Sequence, residues 1–103
     1  MTNSKHDKLI DIIAKDLTKR GYTDIHKKIE YKTHRDGEID LYATKGKYVL
    51  LFEMKTNFSL KNFGKAKEQL ERAEKYYFNK HQKVFKFYVS NINNPYIKWI
   101  KNK

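Results

Sequence analysis

The segment Tyr48-Val49-Leu50-Leu51-Phe52 is apolar at successive positions. In a strand, neighbouring side chains point to opposite faces, so this stretch presents apolar surface on both. Such a strand is central in its sheet and needs a covering layer above and below. It ends in Glu53-Met54-Lys55, which places Glu53 and Lys55 on one face. Upstream lies Gly37-Glu38-Ile39-Asp40-Leu41, a second strand-like stretch. If the two strands are neighbours, Asp40 lies beside Glu53, and two carboxylates and an ammonium share one patch of an otherwise apolar sheet. Buried charge is costly unless it is paired or holds a metal, so a chain that keeps these three charges uses them.

The remaining elements follow from spacing. Ser4 to Arg20 reads as an amphipathic helix capped by Ser4, with Leu9, Ile10, Ile13, Ala14 and Leu17 in one stripe and Gly21 as terminator. Ile25 to Thr33 alternates as a half-exposed strand, and His34-Arg35-Asp36-Gly37 turns the chain. Glu38 to Thr44 is the next strand, Lys45-Gly46 the next turn, and Lys47 to Lys55 the central strand. Asn57 to Gly64 reads as a loop into a second helix that ends near Asn79, with Phe63, Ala66, Leu70, Ala73 and Tyr77 inward. Val84 to Ser90 is a fourth strand, and Pro95 suits the first turn of a short last helix carrying Tyr96, Ile97, Trp99 and Ile100. The expected order is α-β-β-β-α-β-α, a single α/β domain over residues 1–103 with a mixed four-stranded sheet flanked by helices. The second helix is long enough to cross between parallel strands.

Charge narrows the partners. The chain has 103 residues and Lys+Arg 23 against Asp+Glu 12, a formal net charge of +11. A field of that sign attracts polyanions, nucleic acid first and an anionic membrane surface second. No run is long enough to span a bilayer, and no apolar stretch precedes Leu9, so neither a membrane segment nor a secretory signal is expected. Cysteine is absent, which excludes disulfides and thiolate metal sites and fits the cytoplasm.

Carboxylates without Cys or a His-rich motif suit a hard cation, Mg²⁺ or Mn²⁺. Asp40 and Glu53 supply two oxygens and the Met54 backbone carbonyl a third, leaving positions for water and phosphate oxygens. Lys55 then orients the attacking water or offsets charge developing on phosphorus.

These phrases, Gly37-Glu38-Ile39-Asp40, Glu53-Met54-Lys55 and a following helix with Gln69, resemble the PD-(D/E)XK nuclease superfamily. The order of elements resembles that superfamily's restriction-endonuclease-like core along nearly the whole chain. The short domain and the Asp-to-Glu interval are similar to archaeal Holliday junction resolvases. The resemblance implies metal-dependent hydrolysis of DNA phosphodiesters, with Asp40 and Glu53 as metal ligands and Lys55 as catalytic lysine. Ile39 stands where the family often has Pro. The resolvases carry a Glu on the first helix; the apolar pattern puts His6 there, either as a metal ligand, directly or through water, or as a core-edge histidine bonded to backbone. Glu38 is either a further ligand or a solvated strand-start residue. Gln69 either orients the site and contacts phosphate or is a helix-edge amide.

Lys32, His34, Arg35, Lys61, Lys65 and Arg72 are candidate contacts to a nucleic-acid backbone, which fix position without reading sequence. No helix-turn-helix or RNA-recognition phrase is present. A domain this small covers little duplex alone, so a symmetric homodimer is expected, with the last helix and sheet-edge aromatics as its surface. The rivals are a non-catalytic DNA-binding protein that retains the fold and an RNA or cyclic-nucleotide nuclease on the same scaffold.

Overall fold

The computed structural model describes residues 4–32, 36–56, 59–78, 82–91 and 94–101. Its elements, in chain order, are α1 (Lys5–Lys19), β1 (Asp24–Lys32), β2 (Asp36–Lys45), β3 (Tyr48–Lys55), α2 (Leu60–Tyr77), β4 (Lys83–Ser90) and β5 (Tyr96–Ile100). The sheet is five-stranded, in the order β1-β2-β3-β4-β5. β3 and β4 are parallel, and the other neighbouring pairs are antiparallel. The fold is therefore mixed α/β, with β3 central and α2 as the crossover to its parallel neighbour.

Two expectations change. The segment read as a last helix is strand β5, and the sheet gains a fifth strand from it. Tyr96-Ile97-Lys98-Trp99-Ile100 is aromatic and β-branched at four of five positions, which favours a pleated surface. Pro95, without an N–H, fits the start of an edge strand as well as a helix. The second helix also begins earlier than Gly64. Ser59 caps it, its hydroxyl accepting from the Asn62 N–H at 3.0 Å.

Local chemistry explains the other boundaries. The Ser4 hydroxyl accepts from the Asp7 N–H at 3.1 Å. At the far end of α1, the Tyr22 N–H reaches back to the Leu17 carbonyl and Gly21 takes φ 91°, the reversed capping turn that glycine permits. Lys45 pairs with Tyr48, leaving a two-residue hairpin turn whose first member, Gly46, has φ 60°.

The core has two layers. On one face, Leu9, Ile10, Ile13, Ala14 and Leu17 of α1 pack on Leu41, Ala43, Phe52, Met54 and Val89. On the other, Ala66, Leu70 and Ala73 of α2 pack on Val49, Leu51, Val84, Tyr88 and Ile100. Val49, Leu51 and Met54 are fully buried, so both faces of β3 are covered, as its apolar run requires. No helix among the described residues is long and apolar enough to cross a membrane.

Candidate active site

The β2–β3 ladder closes on the pair Leu41–Phe52, and Asp40 and Glu53 are the next residue on each strand. Both carboxylates are buried, Asp40 at 5% and Glu53 at 3% exposure. Glu53 shares the α2 face with Leu51, the helix supplying the apolar wall around it. The Asp40 carboxyl is close enough to act directly on that of Glu53. Two carboxylates so placed repel unless a proton or a cation lies between them. Burial, and then the Asp40 carboxyl, push the Glu53 carboxyl up to about 9, with Lys55 pulling the other way. Lys55 Nζ stands 3.7 Å from Glu53 Oε2.

Asp40 is held from several directions. Its Oδ2 accepts from the Met54 N–H at 2.8 Å. From the first turn of α1, His6 Nε2 lies 3.3 Å from the same oxygen and 3.1 Å from the Met54 carbonyl oxygen. A carbonyl only accepts, so Nε2 carries the hydrogen in this arrangement. His6 thus orients Asp40 and the Met54 carbonyl together. Burial, and then the neighbouring Asp40 carboxyl, raise the Glu38 carboxyl above its ordinary range.

The β1–β2 ladder breaks where Lys28 would face Asp40, between the pairs Lys27–Leu41 and Ile29–Ile39. Lys28 has φ 52°, a conformation that costs a non-glycine residue on the order of 1–3 kcal/mol. Its ammonium pairs with Asp7, which lowers the Asp7 carboxyl pKa, and its charge also acts on Glu38 and Asp40. Sequence spacing gives no signal for Lys28, because nothing in Lys27-Lys28 marks a positive φ.

The structure therefore brings Asp40, Glu53, Lys55, His6, Glu38 and the Met54 carbonyl to one end of the sheet. Gln69 lies on α2 over the Glu53 face, half-buried, with its side-chain oxygen shielded from solvent. Lys61 and Lys65 are exposed on the first turns of α2, a few residues after Lys55, and Arg72 is half-buried further along. Lys32 belongs to β1, but its side chain, like His34 and Arg35, falls outside what is described.

Among the described residues, no three His, Asp or Glu side chains form a group that could hold an ion by themselves. The donors present are open and oxygen-rich: two carboxylates and a carbonyl. That set fits Mg²⁺ or Mn²⁺, which retain waters and share phosphate oxygens, better than it fits an ion needing a closed protein cage.

No family model matches the chain, and no curated protein matches it. Among solved structures, it is similar to the crystal structure of AF1548, a protein of unknown function. The TM-score is 0.62 at 16% identity, over 85% of this chain and 48% of that one. The chain thus spans about half the length of that protein, and the likeness is one of fold.

Proposed function

We propose that this chain is a metal-dependent DNA nuclease of the PD-(D/E)XK type, built on a restriction-endonuclease-like core and acting inside the cell. The observation that carries the reading is the meeting of Asp40 and Glu53 in a buried setting, with Lys55 beside Glu53. Two facing buried carboxylates repel unless a proton or a cation joins them, and a divalent cation would use both at once. Asp40, Glu53 and the Met54 carbonyl would hold Mg²⁺ or Mn²⁺, which supplies an activated water and a Lewis acid at phosphorus.

The chain's own groups divide the remaining work. His6 and the Met54 N–H fix the rotamer of Asp40, so its oxygens are set before substrate arrives. Lys55 lies where an ammonium can orient water or meet negative charge growing on the scissile phosphate. Lys61 and Lys65, exposed at the start of α2, meet the flanking backbone without reading bases. A homodimer would offer paired sites to two strands, as a junction resolvase needs.

The test is cleavage of supercoiled, linear, single-stranded and four-way-junction DNA, with and without Mg²⁺ or Mn²⁺. Cutting that needs the metal, and that is lost in Glu53→Ala and Lys55→Ala while DNA binding persists, supports the reading. Binding without cutting in every metal would favour a non-catalytic DNA-binding protein, the reading that the charge of +11 serves equally well. A monomer by light scattering, unchanged on adding DNA, would count against the dimer.

A further inference from the structure

Strand register sorts the aromatic residues. Tyr48 of β3, Phe85 and Phe87 of β4 and Trp99 of β5 all project to the face that carries α1. That helix packs chiefly on β1, β2 and β3, and its core cluster also takes in Val89 and Phe87 of β4. The part of this face that lies beyond α1 carries rings toward solvent: Trp99 is 51% exposed, Tyr48 42% and Phe85 half-buried, while Phe87 stacks on the buried Phe52 at the edge of the α1 core. The rings form a continuous row across three strands. Tyr48 and Phe85 have centroids 6.2 Å apart, and so do Phe85 and Trp99.

Cations edge the row. Lys101 Nζ lies 5.5 Å from the centre of the Trp99 ring, and Lys47 Nζ 5.7 Å from that of Tyr48. Lys83 shares the register position of Tyr48 on the neighbouring strand and is exposed. The positions of β4 and β5 that face this side, Lys83, Phe85, Phe87, Val89, Ile97 and Trp99, include no carboxylate.

We propose that this face is a binding platform for single-stranded nucleic acid, separate from the carboxylate site and independent of its chemistry. Flat rings on a sheet accept unstacked bases, and lysines at the margin meet the phosphates that run beside them. A duplex keeps its bases stacked on one another and cannot use the rings. Self-association on this face would bring the Lys47, Lys83 and Lys101 clusters of two chains of charge +11 together, a repulsion that a polyanion removes. Charge complementarity thus favours the strand over a second copy.

Trp99 is the sole tryptophan of the chain, so its emission reports on this face alone. The experiment titrates wild-type protein in EDTA with fluorescein-labelled and unlabelled oligo(dT) and oligo(U) of about 15 nucleotides, and with a duplex of equal length. Saturable quenching of Trp99 by the single strands, tracking the anisotropy of the labelled strand, is the expected result; the duplex leaves Trp99 unquenched. Trp99→Ala and Phe85→Ala each raise the single-strand Kd roughly tenfold or more, with duplex Kd unchanged. Circular dichroism of both variants confirms that they fold, and Lys101→Glu, which keeps every ring, weakens the single strand in the same direction. Anisotropy that rises while Trp99 stays unquenched would place the strand elsewhere and overturn the proposal. So would burial of Trp99 with rising protein concentration alone, accompanied by a doubling of mass in light scattering, because a second copy then covers the face. Neither result bears on metal-dependent cutting, which is assayed without Trp99.

Discussion

Glu53 concentrates the tension at the site. Its carboxyl takes up a proton on folding, because burial and Asp40 raise it from its ordinary 4.5 to about 9. Between those values the folded state binds more protons than the unfolded state, so this group makes stability fall as pH rises. In EDTA, Glu53→Gln should remove that slope and raise Tm at alkaline pH, by roughly 4–8 °C for each kcal/mol recovered, and with Mg²⁺ or Mn²⁺ present it should abolish cleavage. The same variant should lose most of the thermal stabilisation that Mg²⁺ or Mn²⁺ gives the wild type. Calorimetry across pH, with and without the ion, checks both. Lys55→Ala should lower kcat by roughly 10²–10⁴-fold with little change in DNA affinity, as expected for a group that acts on the reacting water or phosphate. The placement of Asp40, Glu53 and Lys55 was legible in the sequence, because strand alternation and an adjacent pairing fix it. The contacts of His6 were only half legible. Helical spacing places it on the buried stripe, but its bond to the Met54 carbonyl joins residues far apart in the chain.

At the scale of elements, α2 is tied to the sheet by an ion pair beneath it. Lys86 on β4 is almost wholly buried, and its ammonium donates to Glu74 of α2 at 2.6 Å. Glu74 is one-third exposed, so the pair lies at a boundary between solvent and core. Glu74→Ala should cost roughly 1–3 kcal/mol by leaving a buried ammonium short of its counter-charge, and adding Lys86→Met should recover most of that loss. Urea denaturation of the single and double variants measures the coupling. The segment after Pro95 shows why one element was misread. Proline opens helices and edge strands alike, and five residues are too few for helical and alternating patterns to separate. What decides is the free edge of β4, where Val89 and Ile97 pair, and that edge exists only once the sheet is assembled.

For the whole molecule, charge dominates recognition. With +11 on a body this small, DNA affinity should fall steeply with salt, with a log–log slope of about −3 to −5 if four to five phosphates are engaged. Fluorescence anisotropy of labelled duplex over a salt series gives that slope. The α/β class, the parallel β3–β4 pair and the two-sided covering of β3 were readable from apolar runs and connection lengths. The open patch around Phe85 and Trp99 was not, because how far α1 reaches across the sheet depends on how the helix lies on it. Strand order here follows chain order from one margin to the other, so each strand leans on its neighbours in sequence. Such a sheet can open from its C-terminal margin one strand at a time. Native-state amide exchange should then find β5 the first strand to trade its hydrogens and β3 the last, with the Asp40–Glu53 hairpin still closed while the C-terminal strand breathes.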